Sequence, residues 1–242
     1  MTDENAKDSF WVQSRNRLFK RLIEKNTLTG KTKFLEIGCG TGDFISHLVS
    51  NPQLDITGSE IYLKGLVYAK KNIPQVEFVQ FDVTKGKIGD KFDMIAAFDV
   101  LEHIDNDVAA ISNIYQMLNK DGIFIVSVPQ YMFLWSNLDE IVKHKRRYSK
   151  SELLTKLKQN NFEINYTTSF VFTLFPLMLV SRLFDKKSNQ PASNENGLEK
   201  RVKFSGLMNR IFNAFMRIDE ALIKWGVSLP FGGTLVVVAR KC

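Results

Sequence analysis

Three groups of residues have the types and spacing that chemistry needs. The first is Glu36, Gly38, Cys39, Gly40 and Gly42, inside K-F-L-E-I-G-C-G-T-G-D-F, Lys33 to Phe44. Glycines at alternate positions after a short apolar run remove Cβ atoms from a sharp turn, so backbone and ligand can approach closely. A helix N-terminus after such a turn adds free N–H groups. The second group is a set of acids that close successive apolar runs. Glu60, about twenty residues past the turn, stands where a carboxylate accepts two hydrogen bonds from a ribose diol. Asp82 is placed to accept from an adenine amino group, with Val83 offering backbone to the ring edge. The third group holds the imidazoles. His103 ends D-x-x-E-H (Asp99, Glu102, His103), and His144 opens H-K-R-R-Y with Arg146, Arg147 and Tyr148. Histidine titrates near neutral pH and serves as a base, and paired arginines clamp a phosphate or carboxylate. Tyr148 either joins that cluster or packs as a hydrophobic staple.

The elements that must position these groups follow from periodicity. Phe34 to Ile37 reads as a buried strand, and Phe44, Ile45, Leu48 and Val49 recur at helical spacing after the glycines. Leu54 to Ser59, Val76 to Phe81, Phe92 to Phe98 and Ile123 to Val128 are further strands. Helices over Ile61 to Lys71 and from Asp107 to Leu118 separate them. Strands alternating with helices predict a doubly wound parallel sheet, whose ligands sit beyond the carboxyl ends of the strands. Gly38, Glu60, Asp82 and Asp99 fall at those ends. Asp8 or Ser9 caps a first helix to about Lys25, with Trp11, Leu18, Phe19, Leu22 and Ile23 on its apolar side. Its arginines and lysines are expected to be solvated as it packs over a sheet edge. Ser149 and Glu152 form a capping box before a helix carrying Leu153, Leu154 and Leu157. Phe162 to Ser169 and Gly233 to Arg240 read as strands six and seven.

The chain has 242 residues, 44% hydrophobic, with a net charge of +7. It suits one α/β domain: a helical segment over 1–30, a cofactor-binding core over 31–169, a helical cap insertion over 170–230 and a final strand over 231–242. Within the insertion, 185–200 is polar and predicts a flexible tether. A helix over Phe204 to Trp225 carries Met208, Ile211, Phe212, Phe215, Ile218 and Leu222 on one side, and burial of that side is expected. Two cysteines, Cys39 and Cys242, make no disulfide framework. The polar N-terminus lacks a secretory pattern, and no apolar run spans a bilayer, so a cytoplasmic protein is expected.

A third glycine at position 43 would complete a nicotinamide-dinucleotide fingerprint, but Asp43 stands there. The pattern E-x-G-x-G-x-G, followed by G-S-E, Q-F-D-V and F-D-M-I-A-A-F-D-V-L-E-H-I, resembles the class I S-adenosylmethionine (SAM) methyltransferases. The likeness covers about the first 128 residues. It extends into a subgroup through Phe10, Trp11 and Arg15, then Val128, Pro129, Leu134, Trp135, Ser136, Asp139, His144, Arg146, Arg147 and Tyr148, and Leu229 to Gly233. The resemblance implies a seven-stranded Rossmann-like sheet, mostly parallel, with an antiparallel last strand and a helical insertion between strands six and seven. It implies SAM as cofactor, its methionine end at Glu36, Gly38, Gly40 and Gly42, its ribose at Glu60 and its adenine at Asp82. The loop at Phe98 and Asp99 would lie beside the sulfonium, and Cys39, Ile61 and Val83 complete the expected set.

Asp99, Glu102 and His103 also resemble the E-x-x-E-H that binds a divalent metal in ubiquinone-type O-methyltransferases, with aspartate for the first glutamate. We read the acid and imidazole as bracing the loop and expect no metal. His144 is the expected base, His103 a second candidate, and Arg146 or Arg147 would orient an anionic acceptor, with Tyr148 beside them. The resemblance implies a small-molecule, glycan or lipid-linked acceptor. The insertion either caps the acceptor pocket or meets a membrane through Arg182, Lys186, Lys187, Lys200, Arg201 and Lys203. The competing readings are a peripheral membrane-binding protein on this fold and an RNA methyltransferase. A nucleic-acid acceptor is disfavoured, because F-D-V-L-E-H stands where D/N-P-P-Y would be and no interleaved basic-aromatic stripe is present.

Overall fold

The computed structural model describes residues 9–185 and 205–242. The strands are β1 Thr32–Ile37, β2 Leu54–Glu60, β3 Glu77–Gln80, β4 Phe92–Phe98, β5 Leu118–Pro129, β6 Phe162–Phe170 and β7 Thr234–Lys241. They form one seven-stranded sheet in the order β3-β2-β1-β4-β5-β7-β6. β1 to β5 run parallel, while β7 is antiparallel to both β5 and β6. The chain leaves β1 towards one edge and returns on the other side of it as β4. The strand order therefore reverses between β1 and β4, and a ligand crevice opens at their carboxyl ends.

The helices are α1 Phe10–Asn26, α2 Asp43–Ser46, α3 Leu63–Asn72, α4 Asp107–Met117, α5 Asn137–Ile141, α6 Lys150–Gln159, α7 Phe175–Asp185 and α8 Gly206–Lys224. Alternate strand residues feed two cores. Phe34, Met94, Ile125 and Val236 pack under Phe19 and Leu22 of α1 and Phe212 and Met216 of α8. Leu35, Ile95, Phe124 and Val237 meet Ile111 and Ile114 of α4 and Leu153 and Leu157 of α6. Each such fully buried side chain contributes roughly 1.5–3 kcal/mol.

Several expectations change. The helix after the glycine turn is a single turn, Asp43–Ser46. β5 starts at Leu118, before the Asp121-Gly122 turn, and its pairing with β4 shifts register between Phe92 and Met94 to absorb the extra residues. α1 lies over the middle of the sheet, not its edge, and its arginines are engaged: Arg17 forks onto Glu220 at 2.9 and 3.1 Å. Ser9 caps α1 by position only, without a side-chain bond. Ser149 accepts from the Glu152 N–H, but the Glu152 carboxylate pairs with Lys156 at 3.1 Å.

The largest change concerns α8. Its buried residues are Phe212, Met216, Asp219, Glu220 and Ile223, whereas Met208, Ile211, Phe215 and Ile218 are exposed. The helix is turned so that two acids face inward. Asp219 accepts the Phe172 and Thr173 N–H groups at 2.6 and 3.1 Å, and Glu220 receives Arg17. Most of the expected tether, together with Lys186, Lys187, Lys200, Arg201 and Lys203, lies outside the described residues. Among the described residues, no helix is long and apolar enough to cross a membrane.

Candidate active site

β1 delivers its chain into a turn where Gly38, Gly40 and Gly42 all take positive φ, at 73°, 56° and 77°. An L side chain is strained there. At Gly38 a Cβ would also lie 2.5 Å from Val100 Cγ2, so the turn and the loop after β4 touch. At Gly40 nothing lies within 4 Å of the Cβ position, which leaves that face of the turn open to a ligand. α3 closes in from the other side, where a Cβ on Gly65 would stand 2.7 Å from the Gly40 carbonyl oxygen. Cys39 is buried, and its thiol is pushed up by burial and by the nearby Glu36 and Glu60.

Glu60 ends β2 and reaches back across the turn. One oxygen accepts from Gly40 N–H at 3.0 Å, and the other from Ile61 and Tyr62 N–H at 2.8 and 3.0 Å. A carboxylate offers roughly four acceptor positions, so it holds the turn and keeps capacity for a hydroxyl. Glu36 is buried at the end of β1, and its Oε2 has no hydrogen-bond partner. Burial, tempered by Arg15, pushes its carboxyl up to about 8. An unpartnered acid beside an open glycine turn suits a ligand that brings a cationic N–H donor. Asp82 accepts the Thr84 N–H at 3.0 Å and the Thr84 hydroxyl at 2.7 Å, which, with Lys85, hold it below the usual carboxylate range despite some desolvation. Its position at the end of β3 is as expected, but the carboxylate also builds its own turn. Val83 is buried and Ile61 is exposed.

Phe98 gives the crevice only its backbone. Its ring is buried, stacked on Phe19 at 3.9 Å and edge-on to Phe44 at 5.2 Å. Asp99 follows with φ 56°. It accepts from Arg15 Nη1 at 2.9 Å and from Ser127 Oγ at 2.9 Å, so it is turned towards α1 and β5 and away from a joint site with Glu102.

The loop after β4 carries Glu102 and His103 to His144. Lys145 N–H donates to the Glu102 carbonyl at 2.8 Å, and the His103 and His144 rings meet at 4.8 Å. Glu102 is fully buried, neither carboxylate oxygen has a hydrogen-bond partner, and His144 Nε2 lies 3.8 Å away. Burial, with Asp99 nearby, pushes its carboxyl well above the usual range. Burial and then His144 hold the His103 imidazole below its ordinary value. Glu102, His103 and His144 present ligand atoms within 4.8 Å of one another.

His144 is fixed from behind. Its Nδ1 lies 2.8 Å from Asp139 Oδ1, and Asp139 is held by Arg147 through Nε at 2.8 Å and Nη2 at 3.0 Å. Burial pushes the Asp139 carboxyl up, but His144 and Arg147 outweigh it and hold the group well below the usual range. Asp139 is therefore ionised and accepts from Nδ1–H, and Nε2 points the other way, towards Glu102 Oε1. Asp139 itself sits in a capping box with Ser136 at the start of α5.

The rest of H-K-R-R-Y departs from expectation. Arg147 is buried, and its guanidinium is engaged by Asp139 and the Gln130 carbonyl. Arg146 donates to the Asp105 carbonyl at 2.9 Å and lies 3.3 Å from Asp107. Tyr148 is fully buried and donates to Asp107 at 2.7 Å, and burial and that bond push its phenol up. Its ring is packed in the core beside α4 and α6. Asp139 and Arg15 are the site residues whose roles sequence reasoning missed. Both stand in the subgroup motifs, but their partners, Arg147 and Asp99, are set by tertiary contact.

The methyltransferase-domain family model matches residues 4–167 of the chain. Among curated proteins, the ubiquinone biosynthesis O-methyltransferase of Rickettsia typhi is 25% identical over 179 residues, covering 63% of this chain and 70% of its own. A probable SAM-dependent methyltransferase of Mycolicibacterium smegmatis is 22% identical over 165 residues, covering 67% of this chain and 63% of its own. Among solved structures, the [4+2]-cyclase SpnF superposes with a TM-score of 0.64 at 21% identity, over 96% of this chain and 83% of that one. Phosphoethanolamine N-methyltransferase 2 of Haemonchus contortus, in complex with SAM, gives 0.59 at 17% identity, over 93% of this chain and 52% of that one.

Proposed function

The chain belongs to the methyltransferase-domain family, and we propose that it moves the methyl group of SAM to a hydroxyl oxygen of a small-molecule, glycan or lipid-linked acceptor. SAM is its cofactor, and the turn fits it. Glu36, with an unpartnered buried oxygen, suits the α-ammonium of the methionine end. Gly40 gives that end room, Glu60 retains acceptor capacity for a ribose hydroxyl, and Val83 closes the adenine side. When bound, the cofactor supplies a methyl carbon on a cationic sulfur, so the acceptor oxygen gains the O–C bond while the C–S bond breaks and its electron pair stays on sulfur.

The chain's own residues supply alignment and proton removal. The single observation that carries the oxygen reading is the Asp139–His144 pair at 2.8 Å, with Arg147 behind it. Asp139 holds the ring in the tautomer that presents Nε2, and Nε2 takes the hydroxyl proton. His103 and Glu102 line the same end, the His103 ring 4.8 Å from that of His144 and Glu102 Oε1 3.8 Å from its Nε2. Several relatives are named as O-methyltransferases, among them malonyl-[acyl-carrier protein] O-methyltransferase 1 of Ilyobacter polytropus, which supports an oxygen acceptor here. The test is His144→Ala, assayed with methyl-labelled SAM and an extract of the source cells. Turnover should fall at least about a hundredfold, with affinity for S-adenosylhomocysteine retained. A variant that binds the product and turns over fully overturns the assignment.

A further inference from the structure

From the way α8 is turned, we propose that its outer face is a docking surface for an anionic lipid bilayer. A helix of a water-soluble domain ordinarily buries its most apolar arc. α8 buries Phe212, Met216 and Ile223 but leaves a second, longer apolar arc outside. It turns Asp219 and Glu220 inward, onto the Phe172 and Thr173 N–H groups and onto Arg17, and leaves Leu207, Ile211, Phe215 and Ile218 outside. These recur at four- and three-residue spacing and make a continuous stripe along the helix. Trp225, 78% exposed, ends it.

The charges decide what fits the stripe. Both acids of α8 are buried, so every exposed charged residue on the helix is a cation: Arg210, Arg217 and Lys224. They are spaced seven apart and therefore line one edge of the apolar stripe. Arg217 lies 3.9 Å from Glu220 but is 62% exposed. An apolar arc edged by long cationic side chains and closed by tryptophan is the composition of a helix that lies in the headgroup layer of a membrane. The stripe enters the acyl boundary and the cations meet lipid phosphates, in keeping with the net charge of +7.

The test uses the full chain and sedimentation with vesicles, and it is read without methyl transfer, so it stands or falls apart from the chemistry proposed above. One set is phosphatidylcholine alone, and the other contains about a quarter phosphatidylglycerol. The chain should pellet with the anionic vesicles and much less with the neutral ones. Arg210→Gln, Arg217→Gln and Lys224→Gln combined should weaken anionic binding on the order of a hundredfold. Phe215→Glu should weaken it at least about tenfold. All four positions are exposed and lie outside the cofactor site, so thermal melting and S-adenosylhomocysteine affinity should be unchanged. Three results would overturn the proposal: no pelleting with anionic vesicles, equal pelleting with both kinds, or a concentration-dependent dimer that Phe215→Glu makes monomeric.

Discussion

Glu36→Gln is expected to stabilise the ligand-free chain and to weaken its hold on the cofactor. Glu36 is buried beside the glycine turn with Oε2 unpartnered, and burial lifts its carboxyl from an ordinary 4.5 to about 8. A carboxyl whose folded value exceeds its unfolded value binds more protons when folded. Its stabilising contribution is therefore complete below about pH 4.5 and is lost as pH rises towards about 8. Near pH 7 the gap is about 2.5 pH units, a loss of about 3 kcal/mol. Glutamine is neutral throughout and removes that loss. Urea midpoints of both proteins between about pH 5 and 8 should diverge with rising pH, the variant leading by about 3 kcal/mol near pH 7. Calorimetric titration with S-adenosylhomocysteine should show affinity lower by about tenfold, from the missing charge-assisted bond to the ammonium. A stability difference that does not change with pH, or an unchanged affinity, would refute the reasoning.

Asp139→Asn should lower kcat/KM by about ten- to a hundredfold, because His144 loses the partner that fixes its tautomer. It should also cost about 3 kcal/mol in a denaturant melt by leaving Arg147 buried without its carboxylate, while S-adenosylhomocysteine affinity per folded molecule is kept. Gly38→Ala places a Cβ 2.5 Å from Val100 Cγ2 at φ 73°. It should destabilise by about 2–4 kcal/mol in a thermal melt, and Val100→Ala should restore only the steric part.

The sheet and the glycine turn were legible in the sequence because their signals are local. The apolar run of β1, the glycines after it and acids at later strand ends each occupy a few adjacent residues. Phe92 to Phe98 was read with its bounds intact for the same reason. The end around His144 was less legible. H-K-R-R-Y shows a basic cluster, but whether an arginine meets a ligand or an aspartate depends on where α5 brings Asp139. Periodicity also gave the apolar arc of α8 but not its orientation, for only Phe212 and, in part, Leu222 of that arc are buried. A period fixes which residues share a face, and the choice of the buried face fell to Arg17, about two hundred residues away, and to two backbone N–H groups after β6.

The most direct test of the account follows label from methyl-labelled SAM into an extract of the source cells, comparing the wild-type chain with Glu60→Ala and His144→Ala. The account predicts transfer by the wild type, loss in Glu60→Ala together with cofactor affinity, and loss in His144→Ala with that affinity kept. Transfer that survives both substitutions, or labelled product whose methyl group is not on oxygen, would contradict it.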